Sequence, residues 1–415
     1  MKAARVAAEG LSARYAAVRG TTMSIAAPLS AEDCAAQSMP DASPIRWHLA
    51  HTAWFFETFV LARATTGYKP FDARFDFLFN SYYDAIGARV ARPMRGRMTR
   101  PDLAEVLEYR AHVDRAVARL LERGAPPALE LGLNHEQQHQ ELMLTDLKHL
   151  FSLNPLRPVY RGLASPPVSA AAPWRFVRYE GGLHAIGHGG AGFAFDNEGP
   201  RHQVFTQPFE LASRPATNGE FLEFVEAGGY QDPRWWLSDG WDWVVAESIR
   251  APEYWSREER GWKVFTLGGE RDLAPAEPVA HVSFYEADAF ARWAGARLPR
   301  EDEWELAAGA LAVDGNFAEE GGLHPRRTEA GDDAAPGALF GDVWEWTWSP
   351  YVAYPGFRPA PGALGEYNGK FMSNRMVLRG GSCASPRPHL RATYRNFFAP
   401  TARWQFSGIR LARDV

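Results

Sequence analysis

Apolar residues recur every three to four positions through most of the first 154 residues, and beyond that point the pattern dissolves. The spacing predicts four long helices, over about residues 8–29, Ile45 to Leu61, Leu103 to Arg123, and Leu131 to Leu153. Ser43 offers an N-cap for the second, with Pro44 at its first turn. Thr99 and Asp102, with Pro101 between them, open the third, and Gly124 ends it. Pro155 lies just beyond the fourth. Four such helices suffice for a four-helix bundle.

The stretches Asn154-Pro-Leu-Arg-Pro158, Ser165-Pro-Pro167 and Ala170-Ala-Ala-Pro173 form a connection without periodicity. Further on, Gly and Pro interrupt the chain every few residues. Short β-like runs such as Val204-Phe-Thr-Gln-Pro-Phe209 and Val377-Leu-Arg-Gly-Gly381 alternate with two helical pieces, Thr217 to Glu226 and Phe284 to Ala296. The fold class expected is therefore α plus α+β. A helical bundle over residues 1–154 is followed by a linker, 155–174, and an irregular, loop-rich α+β domain over 175–415. No internal repeat of fixed period is visible.

Composition narrows the function classes. Of 415 residues, 46% are hydrophobic and 23% charged, as in a folded globular protein. A net charge of −5 argues against a nucleic-acid-binding surface as the main business. No run approaches the ~18–20 apolar residues of a membrane span, and Lys2 and Arg5 are not followed by the apolar core of a secretory leader. With Cys34 and Cys383 as the only cysteines, a disulfide-built secreted fold is not expected, and the cytoplasm is the simplest compartment. The 15 Trp, 25 Phe and 14 Tyr suit a loop-rich fold held by large aromatic side chains.

Candidate chemistry is densest in Asn134-His-Glu-Gln-Gln-His-Gln-Glu141. His135 and His139 stand i, i+4, which puts two imidazoles on one helix face where both can bind one metal ion. The same letters satisfy His-Glu-x-x-His, the zinc-protease pattern, with Glu136 as general base. A simple zinc protease would take its third ligand downstream, whereas a bundle takes it from another helix. His51, in Trp47-His-Leu-Ala-His-Thr-Ala-Trp-Phe-Phe-Glu57, is that candidate, and His48 is either its rival or a core histidine beside it. Asp146, seven residues beyond His139, is either an acceptor behind a ligand histidine or a solvated carboxylate.

These two segments resemble the metal-binding helices of the sulfoxide synthases of ergothioneine biosynthesis, whose N-terminal part is a DinB-like four-helix bundle. The second domain resembles the formylglycine-generating-enzyme (sulfatase-modifying factor) fold, a relative of the C-type lectin scaffold. It does so through Asn197-Glu-Gly-Pro-Arg-His202, Leu298-Pro-Arg-Glu-Asp-Glu-Trp304, Gly341-Asp-Val-Trp-Glu-Trp346 and Leu378-Arg-Gly-Gly-Ser382. The resemblance spans nearly the whole chain. It implies a non-haem iron(II) ion, Fe(II), on His51, His135 and His139, and small-molecule substrates: hercynine (Nα-trimethylhistidine), L-cysteine and O2. It further implies Gln138 as a partner of the substrate imidazole, Asn396 as a residue holding the trimethylated amino acid, and Phe397 as a ring facing the quaternary ammonium. Ordinary packing is the alternative for Phe397.

Synthases of this family that take γ-glutamylcysteine carry an acidic residue after the Asn-aromatic pair, where this chain has Phe398. They also use a tyrosine from the C-terminal domain that no motif here identifies. The adjacent Tyr82 and Tyr83 resemble the catalytic tyrosines of the branch that uses free cysteine. One of Arg89, Arg92, Arg95, Arg97 and Arg100 is available for a donor carboxylate, most of the run being a solvated basic face. Two other functions fit parts of the pattern: a selenoneine synthase taking a selenosugar, and a DinB-type metal-binding protein or zinc hydrolase using His-Glu-x-x-His. The cysteine pair of copper-dependent formylglycine-generating enzymes is not reproduced.

Overall fold

The computed structural model describes residues 2–162, 173–309, 311–327 and 335–415, with side chains from Gly10 onward. Half of the predicted linker, 163–172, lies outside the described residues. The chain divides into two compact units, residues 1–155 with 359–367, and residues 156–358 with 368–415.

The first unit holds α1 (Lys2–Ala26), α2 (Ala31–Ala35), α3 (Ile45–Phe55), α4 (Ala62–Ala64), α5 (Phe75–Phe79), α6 (Leu103–Leu121) and α7 (Pro127–Ser152). The four long helical segments expected from periodicity are present, packed around Trp54, Phe55, Val106, Val113, Leu133 and Leu144. Their caps differ from expectation. Asp102, not Thr99, caps α6, its carboxylate accepting from the Glu105 amide at 3.0 Å. Ser43 caps nothing; Pro44 takes the position before α3, and the Ser43 amide is turned to Asp146 instead.

Between α3 and α4 the helix widens into a π-helical stretch, Phe56–Leu61. Glu57, on this stretch, accepts from the Tyr109 hydroxyl at 2.7 Å, the Tyr68 hydroxyl at 2.8 Å and the Phe71 amide at 3.1 Å. Such bulges concentrate where a helix must re-aim side chains. Phe56 leans onto α7 at Gly132, where a Cβ would stand 2.5 Å from its ring; only glycine lets the helices approach so closely.

One segment crosses the boundary read from sequence. Residues 359–367 group with the bundle because Glu366 accepts the Asp84 and Ala85 amides at 2.9 and 2.8 Å, and because Tyr367 packs among bundle aromatics.

The second unit is built on short strands. A three-stranded antiparallel sheet sets Phe209–Ala212 between Phe176–Tyr179 and Ala412–Asp414. A four-stranded sheet runs Asn396–Phe398, Met376–Arg379, Trp344–Pro350, Ser407–Gly408, with the last pair parallel. Trp304, Trp344 and Trp346 fill its core. Their motifs carry charge inside it: Glu345 accepts from Arg410 Nε at 2.8 Å and from Trp304 Nε1 at 2.7 Å. Glu301 likewise holds Arg395 at 2.8 and 2.9 Å. The paired glycines of Leu378-Arg-Gly-Gly are steric, since Gly380 has φ +98° and a Cβ there would lie 2.4 Å from the Leu339 carbonyl.

Removing one partner of such a pair strands a charge in the core. Arg410→Met should cost about 3–5 kcal/mol, read as a lowered melting temperature of the second unit by calorimetry; an unchanged transition would contradict this account of the signature.

Candidate metal centre

Three histidines converge inside the bundle. His51 comes from α3, while His135 and His139 come one turn apart from α7. One ring nitrogen from each lies within 4.8 Å of the other two, and all three residues are buried. His51 Nε2 stands 3.2 Å from His135 Nε2, and the ring centroids are 4.6 to 4.9 Å apart.

Neighbours fix how each ring points. The Nδ1 of His51 faces the Phe79 carbonyl at 2.6 Å, which makes that nitrogen the N–H and leaves Nε2 as the lone pair facing inward. The Nδ1 of His139 meets the Nδ1 of His48 at 2.8 Å, which leaves its Nε2 for the cluster. Phe55 stacks on His135 at 4.2 Å, and Trp47 stacks on His51 at 4.5 Å.

Burial is the leading cause that pushes the pKa of all three histidines down. His135 falls to about 3, opposed by Glu136; His51 and His139 are lowered further by their histidine neighbours. The imidazoles are therefore neutral near pH 7. Each neutral imidazole carries one N–H, so within the cluster the 3.2 Å contact of His51 Nε2 with His135 Nε2 can hold one proton between them, whereas a bound cation would take a lone pair from all three rings at once. The donor set fits a metal ion.

Glu136 does not face this cluster. Its Oε2 accepts from Arg19 at 2.9 Å and its Oε1 from Arg110 at 2.9 Å, all three side chains being buried. Burial raises its carboxyl, but the two guanidinium charges override this and hold it at about 2. An ionised carboxylate spoken for at both oxygens is not a general base, which removes the chemistry of the zinc-hydrolase alternative.

The structure distributes the other expected residues unevenly. Gln138 lies on α7, and its Oε1 accepts a hydrogen bond from the Tyr367 hydroxyl. Tyr367 also sets its ring 5.8 Å from His135 and 6.4 Å from Tyr82. Tyr83 is fully buried against Phe59, Trp54 and Tyr82, a packing position, while Tyr82 is half-buried beside Tyr367. Asn396 and Phe397 belong to the second unit, where Phe397 stacks on Tyr351 at 4.0 Å. Asp146 is buried and faces His48, not solvent.

Tyr367 is a candidate site residue that the sequence did not single out. The signal that would have found it is Glu366 bonding the amides after Tyr83, and no local pattern links those two stretches.

The Sulfatase-modifying factor enzyme 1-like domain matches residues 166–333 and 337–415, and the DinB superfamily matches 14–147. Together they define the class, a DinB bundle joined to a sulfatase-modifying-factor domain. A hercynine oxygenase of Mycolicibacterium thermoresistibile is 34% identical over 406 residues, 91% of this chain and 88% of that protein. The hercynine oxygenase of Mycobacterium tuberculosis is 33% identical over 98% of this chain and 99% of its own length. A formylglycine-generating enzyme of Streptomyces coelicolor is 35% identical over 44% of this chain and 60% of its length. The chain belongs to the hercynine oxygenase family.

Glu136→Gln should leave metal stoichiometry intact while destabilising the bundle by about 3–5 kcal/mol, because Arg19 and Arg110 lose their counter-charge. With a folded value of about 2 against about 4.3 unfolded, the carboxylate's contribution is full above the unfolded value and is lost as pH falls toward the folded one. Denaturant melts of parent and variant should therefore converge in acid; a gap independent of pH would contradict the assignment.

Proposed function

We propose that the chain is an iron(II)- and O2-dependent sulfoxide synthase that joins hercynine to L-cysteine and releases hercynylcysteine sulfoxide. The observation that carries this reading is the buried triad of His51, His135 and His139, in a chain that aligns with hercynine oxygenases over nearly its whole length. The overall change balances: a thiol, an imidazole C–H and O2 give a carbon–sulfur bond, an S=O group and one water. Dioxygen takes up four electrons, two from coupling and two from sulfur, so no external reductant is needed.

Iron(II), when bound by the three histidines, supplies a site for thiolate and the activation of O2, which zinc cannot do. Three neutral ligands leave the metal's positive charge undiminished, which favours an anionic sulfur. The interior set by Phe55, Trp47 and Trp54 excludes water around the triad. Tyr367 is the proton donor of the site: its hydroxyl is held by Gln138 and its ring lies beside His135. Delivering that proton favours coupling over plain oxidation of the thiol to sulfinic acid. Tyr82, beside Tyr367, is its supporting neighbour, and Tyr83 holds Tyr82 through a hydroxyl contact of 3.5 Å. Asn396 and Phe397 are the candidate contacts for the trimethylammonium end of hercynine. Phe398, where γ-glutamylcysteine-using relatives carry an acid, supports free cysteine as donor.

Aerobic incubation of the iron(II)-reconstituted protein with hercynine and cysteine, γ-glutamylcysteine or a selenosugar separates the donors by product mass. Cysteine should give the dominant adduct; a dominant adduct with either other donor would overturn the donor assignment. His139→Ala or His51→Ala should abolish iron binding and turnover together, and a variant keeping both would break the triad. Tyr367→Phe should shift product from sulfoxide to cysteine sulfinic acid by roughly tenfold or more; an unchanged ratio would remove Tyr367 from the reaction.

A further inference from the structure

The three ligand histidines are not backed alike. Behind His51 is a neutral carbonyl, that of Phe79. The Nδ1 of His135 has no hydrogen-bond partner among the described residues. Behind His139 stands a chain of four groups. Its Nδ1 meets His48 Nδ1 at 2.8 Å, and His48 Nε2 meets Asp146 Oδ2 at 3.0 Å. The same Oδ2 accepts the Ser43 amide at 2.8 Å, and Ser43 Oγ accepts from Arg95 Nη1 at 2.9 Å. Arg95 is buried, makes no ion pair among the described residues, and lies 3.4 Å above the Trp47 ring. Its charge balances that of Asp146 across Ser43.

With one proton on each imidazole, this chain admits a single arrangement. A carboxylate only accepts, so His48 carries its proton on Nε2 and presents a lone pair at Nδ1. That lone pair can meet only an N–H, so His139 carries its proton on Nδ1 and leaves Nε2 bare. We propose that His48 and Asp146 are positioning residues that fix the tautomer of His139 and make it the strongest donor of the triad, with His51 next and His135 the weakest. The inference rests on the reading of the triad as a metal site and adds an order to its ligands. A ligand nitrogen whose far N–H is drawn toward a carboxylate gains basicity, and loss of such support costs metal affinity. His135 is held by ring contacts alone, with Phe55 at 4.2 Å and Tyr367 at 5.8 Å.

The test uses the full chain, freed of metal and titrated with cobalt(II), the probe ion. His48→Phe should raise the cobalt Kd roughly 10- to 100-fold. Asp146→Asn should raise it less, because its amide oxygen can still accept from His48 and Ser43. NMR of the cobalt-loaded parent in water should show exchange-protected ring N–H resonances for His51 and His139. The His139 resonance should vanish in His48→Phe and shift in Asp146→Asn, while that of His51 stays in place. Circular dichroism melts establish folding; if His48→Phe does not fold, Asp146→Asn alone decides. A folded variant with the parent's Kd and an unmoved His139 resonance overturns the proposal and leaves the metal site standing. A parent that binds no cobalt at the triad overturns both.

Discussion

Three buried imidazoles converging on one point are the constraint on which the bundle depends. Each neutral ring has a single N–H to share, so the surroundings must hold the rings with their ligand nitrogens turned to that common point. The Phe79 carbonyl, the stacked faces of Trp47 and Phe55, and the His48–Asp146 pair do this from three sides. The π-helical stretch after Phe55 and the missing side chain at Gly132 bring α3 and α7 close enough for the rings to meet. Burial, which keeps the histidines neutral, also makes them ready ligands near pH 7.

Charge is used twice in this unit for opposite ends. Arg19, Glu136 and Arg110 form a closed ionic cluster that joins three helices and presents nothing to a substrate. Two positions further along α7, Gln138 turns toward Tyr367 and accepts from its hydroxyl. A single helix thus carries a structural carboxylate and the histidine face of the candidate site within one turn, separated by the helical rotation between neighbouring residues.

Periodicity revealed the four long helices and the i, i+4 spacing revealed His135 and His139, because both signals are local; His51 was set apart from His48 only by the family resemblance. The widening after Phe55 was not legible, since Phe56 to Leu61 reads as ordinary apolar helix. Nor were the caps: Ser43-Pro44 has the letters of an N-cap, yet the pull of buried Asp146 redirects Ser43. Tyr367 stayed hidden because its place depends on Glu366 bonding amides nearly three hundred residues earlier in the chain. In the second unit the Trp-Glu-Trp346 and Pro-Arg-Glu motifs were legible as a family signature. Only the structure shows how they meet, through the Arg410–Glu345–Trp304 and Arg395–Glu301 contacts of the core.

The account's central claim is that dioxygen, activated at an iron held by this triad, ends up on the sulfur that has been joined to hercynine. Its most direct test is the mass of the product made from hercynine and cysteine by the iron(II)-reconstituted chain under oxygen-18 gas. The account predicts an adduct carrying one oxygen-18 atom in its sulfoxide, absent when iron is withheld. An adduct with unlabelled oxygen, or labelled cysteine sulfinic acid with no adduct, would contradict it.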